Sequence, residues 1–318
     1  MRNYYGARAV SALRALGEVK LHEGEESLQG AALIAAAADC DVVVSYRASP
    51  GPAEVFAALP RLVAFVRCAI DIRNIDVAAA SRAGVLVTQA SAGFVPAVAE
   101  LVLGFMVDLS RGVSAASASY RAGTVPAAAM GRQLAGSTLG VIGYGAIGKR
   151  LALTGVVLGM RVLVTDPHVR ADEPGIEQVP LADLLRASDF VVPLAVATAE
   201  TENLMGEAEF AQMKPGAFFI NVSRGNLVDE AALARALASG RVAACALDVG
   251  RAPDQMPTPA LAAHERVIAT PHIGGLTQPA IEHQSMETVA QVAEILQGRV
   301  PKGAVNAEHW KRKELLKT

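Results

Sequence analysis

The stretch Leu139-Gly140-Val141-Ile142-Gly143-Tyr144-Gly145-Ala146-Ile147-Gly148 reads as an apolar strand, a turn of the form G-x-G-x-x-G and the start of a helix. Each glycine has a physical reason. Gly143 permits the tight turn, Gly145 lets a pyrophosphate approach the backbone, and Gly148 allows the helix to pack closely on the strand. Tyr144 stands between the first two glycines, and the helix that opens at Ala146 and Ile147 offers unpaired N–H groups and the positive end of its dipole. A second strand, Arg161 to Thr165, ends at Asp166, 18 residues beyond Gly148. A carboxylate there accepts hydrogen bonds from both hydroxyls of an adenine ribose and repels a 2'-phosphate, so the segment predicts NAD in preference to NADP.

Outward from this motif, strand and helix signals alternate through Phe190 to Val192, Ala217 to Val222, Ala243 to Asp248 and Val267 to Thr270. That pattern predicts a Rossmann-type, doubly wound parallel sheet. Upstream, a helical spacing from Ala7 to Leu16 precedes β-rich runs at Val42 to Ser45 and Leu62 to Val66, and the pair Ile75 to Arg82 and Val85 to Thr88 repeats the unit. This is a smaller, flavodoxin-like α/β domain. Only Met1 to Gly6 precede its first helix, so either the segment is atypical or the true start lies upstream. Pro96 to Gly112 reads as one long helix linking the domains, with proline in its first turn and glycine past its end. A polar, small-residue stretch from Ser114 to Gly136 follows. Pro279 to Leu296 forms the last helix, and the Lys- and Arg-rich tail beyond it reads as a solvated end.

Composition agrees with two α/β domains. A length of 318 residues exceeds what one core usually serves, and with 52% hydrophobic but only 4% aromatic residues the interior is filled by small aliphatic side chains. The formal net charge of -2 provides no basic field for nucleic acid or an anionic membrane, which leaves a small-molecule ligand. Cys40, Cys68 and Cys245 are too few and too far apart for a disulfide framework or a structural metal site, as expected of a cytoplasmic protein. No secretory or membrane-spanning segment is expected, since the apolar run from Val95 to Leu109 is broken by Glu100 and Asp108.

Three further segments, Asn221-Val222-Ser223-Arg224-Gly225-Asn226-Leu227-Val228-Asp229, Ala246-Leu247-Asp248-Val249 and Thr270-Pro271-His272-Ile273-Gly274-Gly275, resemble in order and spacing the D-isomer-specific 2-hydroxyacid dehydrogenases. The likeness extends over nearly the whole chain. It implies a discontinuous substrate domain, residues 1–100 and 280–318, clamped over an NAD-binding domain, 101–279, and a homodimer formed through the latter. It also implies that Arg224 binds the substrate carboxylate and carbonyl, a role suited to a planar, permanently charged guanidinium. His272 becomes the general acid of carbonyl reduction and the base of alcohol oxidation, since imidazole exchanges protons near neutrality. Arg224 also admits the lesser reading of a surface ion-pair partner, and a lone histidine after a proline, read without the surrounding pattern, is more often structural. Asp248 matches the position that holds the nicotinamide carboxamide. Thr198 lies in a segment that resembles the family's loop passing the cofactor, half matched because the usual His and Pro are Leu194 and Val196 here. The resemblance, with no local signal, implies that Val222, Ser223 and the Gly274 backbone complete the nicotinamide surroundings.

Two departures stand out. The family has a glutamate five residues after its Leu-Asp-Val aspartate, hydrogen-bonded to the catalytic imidazole, and here that position is Pro253. Asp254 or Gln255 reaches the imidazole only if the loop is rearranged. The second departure is Arg67-Cys68-Ala69-Ile70-Asp71-Ile72-Arg73-Asn74-Ile75-Asp76, where the family's glycines, whose N–H groups embrace the substrate carboxylate, are replaced by Ala69 and Asp71. Ile70 and Asp71 are thus candidate substrate contacts, together with Tyr46 and Arg47. A carboxylate beside a bound carboxylate is costly in a closed site, so either Asp71 turns onto Arg73 or Arg47, or the substrate is not a simple 2-keto acid. The expected function is NAD-dependent interconversion of a small D-2-hydroxy acid and its 2-keto acid. The competing reading is an NAD(H)-sensing regulatory protein, to which the missing glutamate lends support; a methyltransferase using the glycine loop explains neither Arg224 nor His272.

Overall fold

The computed structural model describes residues 6–24 and 26–317. Residues 1–5, on which an opening strand depends, lie outside that range. One compact unit runs up to Gly93 and resumes at Gln278; the other is Phe94–Thr277.

In the first unit α1 (Gly6–Leu16) and α2 (Gly30–Ala37) precede β1 (Val42–Ser45), α3 (Ala53–Ala58), β2 (Ala64–Arg67), α4 (Val77–Ala83) and β3 (Leu86–Gln89). The strands are parallel in the order β1-β2-β3, a three-stranded portion of a flavodoxin-like sheet. Helices α2 and α3 were not legible in the sequence, because Ala-rich helices of eight and six residues carry little amphipathic contrast. The C-terminal tail is only partly the solvated end expected of its charge: Lys302, Lys311 and Lys313 are exposed, but two residues anchor it. Trp310 is buried and its indole N–H donates to the Val63 carbonyl, while Arg312 donates to the carbonyls of Leu59 and Leu62, the latter at 3.0 Å. The basic side chain is thus spent on loop carbonyls of this unit.

The second unit opens with α5 (Val95–Arg111) and α6 (Val113–Arg121), the latter taking up the first part of the polar, small-residue stretch. Helix α5 belongs wholly to this unit because its buried face, Val98, Val102, Phe105 and Met106, packs on the second sheet. The chain therefore crosses between units at Gly93 instead of residue 100. Then follow β4 (Thr138–Ile142), α7 (Ala146–Val157), β5 (Arg161–Thr165), β6 (Ile176–Gln178), α8 (Leu181–Ala187), β7 (Phe190–Pro193), α9 (Glu207–Gln212), β8 (Ala217–Asn221), α10 (Glu230–Ala238), β9 (Val242–Leu247), α11 (Pro259–Ala262) and β10 (Val267–Ala269). Helix α12 (Gln278–Leu296) returns to the first unit.

All seven strands are parallel in the order β10-β9-β8-β7-β4-β5-β6, so the strand order reverses at β4, where such sheets bind ligands. Successive residues point to opposite faces, and both faces are covered: Val192, Ile220 and Ala246 pack with α5 and α7, whereas Val191, Phe219 and Leu247 pack with Leu184, Phe210 and Leu233. That double burial explains why the strands read as continuous apolar runs.

One buried carboxylate ties this sheet together. Asp189 accepts from the Thr138 N–H at 2.8 Å, Lys214 at 2.7 Å and Arg132 at 3.0 Å. Burial raises its pKa, and the Lys214 and Thr138 hydrogen bonds with the Arg132 charge more than offset that, leaving the carboxyl below its usual value. Asp189→Ala should cost about 3 kcal/mol in urea unfolding at neutral pH. Because the folded pKa is the lower one, this stabilisation is complete above roughly pH 4 and disappears as pH falls through the folded value. The mutational penalty should therefore shrink in acid; a penalty independent of pH would mean that the charge is irrelevant.

Candidate active site

The dinucleotide end is built at the C-terminal edge of β4. Gly143 has φ +101°, and a Cβ there would lie 2.6 Å from the Ala195 nitrogen; a Cβ on Gly148 would lie 2.1 Å from the Gly143 carbonyl oxygen. Those two glycines are required by the fold. Around Gly145, by contrast, the space is open, and it and Ala146 are exposed at the first turn of α7, which has no side-chain cap. That uncapped N-terminus beneath a bare glycine fits a pyrophosphate. Asp166 ends the next strand. Its Oδ2 accepts the Tyr144 N–H at 2.7 Å, and its Oδ1 accepts those of His168 and Val169 at 2.8 and 2.9 Å. Burial opposes its charge, but these three donors prevail and hold the carboxyl below its usual value, so it is ionised at neutral pH.

Tyr144 and Ile147 turn inward, Tyr144 being buried and Ile147 partly so. The Tyr144 hydroxyl donates to Glu173 at 2.5 Å, and Lys149 pairs with the other carboxylate oxygen. Lys149 and then Tyr144 hold Glu173 at about 2, while burial and Glu173 push the phenol up. Glu173 lies in an irregular loop, where no sequence signal marks it.

The loop after β7 passes over this turn. Leu194 donates to the Ile142 carbonyl at 2.6 Å, and the Thr201 hydroxyl closes the turn by accepting from the Thr198 N–H at 2.8 Å and donating to the Val196 carbonyl at 2.6 Å. Thr198 is exposed on it. Ser223 Oγ donates to the Ala195 carbonyl at 3.3 Å, joining this loop to the one after β8. Val222 is buried in the core, which leaves only its backbone for a ligand.

Arg224 follows β8 in extended conformation. Its carbonyl accepts from Asn221 Nδ2 at 2.9 Å, and its Nη1 donates to the Ser223 carbonyl at 2.7 Å. Asp248, fully buried after β9, accepts from the Thr270 hydroxyl at 2.6 Å and from the N–H groups of Ile273 and Gly274 at 2.8 Å each. Its visible work is to fold the turn that carries His272. That turn is strained: His272 has φ +55°, a left-handed conformation that costs about 1–3 kcal/mol outside glycine. The imidazole is half-buried, and its Nδ1 lies 2.7 Å from the Asp254 carbonyl oxygen. The residue that reaches the imidazole is therefore Asp254, through its backbone. Gln255 turns elsewhere, its Oε1 accepting the Gly225 N–H at 3.1 Å. Arg251, which sequence reasoning passed over, donates to the carbonyls of Val228 and Asn226, both at 3.1 Å, and pairs with Glu202 at 2.8 Å. No motif announces it.

In the first unit the substrate-contact candidates occupy two neighbouring loops. Tyr46 and Arg47 follow β1, with the Arg47 guanidinium 5.9 Å from the Tyr46 ring centre. Ile70 and Asp71 follow β2. The Asp71 carboxylate accepts from Arg73 Nη2 at 2.6 Å and from Arg73 Nε at 3.0 Å, the first of the two outcomes weighed for it. Arg67 at the end of β2 is fully buried and binds the Tyr46 and Ser49 carbonyls and Asn74 Oδ1, the last two at 2.8 Å. It joins the two loops.

A family model for the D-isomer specific 2-hydroxyacid dehydrogenase NAD binding domain matches residues 103–274. D-3-phosphoglycerate dehydrogenase of Mycobacterium leprae is 35% identical over 307 residues, which cover 94% of this chain and 57% of that protein. Among solved structures, apo D-lactate dehydrogenase of Escherichia coli aligns at 27% identity and TM-score 0.86, covering 96% of this chain and 98% of that one. D-lactate dehydrogenase of Aquifex aeolicus, complexed with NAD and lactic acid, aligns at 26% identity and TM-score 0.79, covering 98% and 96%. The chain belongs to the D-isomer-specific 2-hydroxyacid dehydrogenase family, and its second unit is that family's NAD-binding domain. It spans little more than half the length of the phosphoglycerate dehydrogenase it matches.

Proposed function

We propose that this protein is an NAD-dependent oxidoreductase that interconverts a small D-2-hydroxy acid and its 2-keto acid. The observation that carries the reading is the placement of Arg224 after β8 and His272 after β10, at the C-terminal edge of one sheet with only β9 between them, and with the imidazole fixed through Nδ1. NAD, when bound across Gly145 and Asp166, supplies or accepts the hydride. Arg224 grips the carboxylate and polarises the carbonyl, stabilising the charge that grows on its oxygen. His272 gives that oxygen a proton in reduction and removes it in oxidation. Tyr46, Arg47, Ile70 and Asp71 are read as the substrate-facing residues of the other unit, and Thr198, Ser223 and Gly274 as the nicotinamide surroundings. Position 253 holds no glutamate, and the Asp254 carbonyl stands where the imidazole needs a partner.

The same reading makes the protein a cytoplasmic homodimer. Cys40, Cys68 and Cys245 form no disulfide, and Val113, Tyr120, Val125 and Met130 are exposed apolar side chains on and after α6, available to a second copy. Sedimentation of the purified chain as a monomer would remove that part.

Mixing the protein with NADH or NADPH and a panel of 2-keto acids, while following nicotinamide absorbance, tests the activity. Consumption of NADH is expected, with NADPH strongly disfavoured by the ionised Asp166, and Asp166→Ala should weaken NADH binding. Tight NADH binding without turnover of any acid would favour the sensor, which has no need of both Arg224 and His272.

A further inference from the structure

Among the described residues four non-glycine residues have left-handed backbone conformation: Asn203, Asp254, Gln255 and His272. All four belong to one network. Asp254 and Gln255, at φ +57° and +59°, form a reversed turn in the loop after β9. Asn203 Oδ1 accepts from Arg251 of that loop at 2.6 Å, and His272 meets the Asp254 carbonyl. A glutamine gains nothing locally from such a conformation, so its surroundings must impose it.

Those surroundings are explicit. The Gln255 carbonyl accepts the Gly250 N–H at 2.8 Å, its Oε1 accepts the Gly225 N–H at 3.1 Å, and its Nε2 faces Asn226 Oδ1 at 3.4 Å. Gly225 is the residue after Arg224, and a Cβ on it would meet the Gly250 carbonyl oxygen at 2.1 Å, so the two loops touch backbone to backbone. Arg251 fastens the same pair of loops through the Val228 and Asn226 carbonyls. One short turn therefore holds the Arg224 loop with a side chain and the His272 ring with a backbone carbonyl.

We propose that Gln255 is a positioning residue that sets Arg224 and His272 relative to one another and fixes the imidazole tautomer, an inference that rests on the dehydrogenase reading above. A carbonyl oxygen only accepts, so Nδ1 carries its hydrogen in both charge states of the ring. The exchanging proton is then confined to Nε2. The Nδ1 bond survives a full proton cycle, since the acceptor does not titrate. Gln255 does not touch the imidazole. It acts by pinning the turn whose preceding carbonyl does.

The test compares wild type, Q255A and Q255E by long-range proton–nitrogen spectra of the His272 ring and by steady-state reduction of a 2-keto acid. Glutamate keeps an acceptor for the Gly225 N–H, so Q255E serves as the conservative variant and as a guard against a variant that merely unfolds. We expect the Nδ1–H tautomer in wild type and Q255E and a mixture in Q255A. The Q255A kcat should fall on the order of 100-fold, the usual consequence of a small misplacement of reacting groups, while NADH binding holds. A pure Nδ1–H tautomer and undiminished kcat in Q255A would overturn the proposal. So would loss of tautomer control in Q255E with Q255A unaffected. If no keto acid is reduced by wild type, the dehydrogenase reading fails, whereas the spectra still decide whether Gln255 fixes the ring.

Discussion

His272→Asn should lower keto-acid reduction and hydroxy-acid oxidation together, by about two to four orders of magnitude, the usual worth of a positioned acid–base group. The imidazole is bonded through Nδ1 to the Asp254 carbonyl, so Nε2 is its exchanging nitrogen. Asparagine occupies similar space and offers an amide that neither gives nor takes a proton at neutral pH. Reduction consumes a proton and oxidation releases one. The wild-type rate of reduction should therefore fall as pH rises, and that of oxidation should climb. In H272N both dependences should vanish along with most of the rate. Rates in the two directions measured across the neutral range, with NADH affinity from fluorescence, provide the check. A variant with lowered rates but the original pH profile would place the acid–base group elsewhere.

The central coenzyme sheet was legible because its evidence is local. Gly143, Gly145 and Gly148 occur at the spacing the turn demands, and strands buried on both faces leave apolar runs that are hard to misread. The smaller unit was less so. Strand β2 lies two residues beyond the expected start at Leu62, because the Leu62 N–H turns back to the Leu59 carbonyl and its own carbonyl accepts from Arg312, so inter-strand bonding begins only at Val63. Charge misled at the tail, where Arg312 is spent on buried carbonyls. The candidate site shows the same division. Arg224 and His272 carry their chemistry in their side chains and announce themselves through flanking motifs. What positions them does not: the Asp254 contact is a backbone carbonyl turned by two left-handed residues, and any residue type supplies a carbonyl. Arg251 likewise works through carbonyls that leave no trace in a sequence.

Arg224→Lys separates binding of charge from binding of shape. The Arg224 side chain follows β8, and its Nη1 donates to the Ser223 carbonyl at 2.7 Å, which fixes the plane of the guanidinium. A planar fork so held can grip a carboxylate with two parallel hydrogen bonds and direct a further N–H at the adjoining carbonyl oxygen, where negative charge accumulates during reduction. Lysine keeps the charge and loses the fork. Its ammonium is a point donor on a flexible stem, so it can satisfy the carboxylate or the carbonyl but not both in fixed register. Loss of one such transition-state donor typically costs about 10²–10³ in rate, or roughly 3–4 kcal/mol. R224K should thus lose about that factor in kcat/KM for keto-acid reduction. The fingerprint turn at Gly143–Gly148 is untouched by the change, so the NADH dissociation constant should hold. Kinetics and a fluorescence titration on the same preparation distinguish the outcomes: an unchanged kcat/KM removes Arg224 from the substrate, and a weakened NADH affinity assigns it to the coenzyme instead.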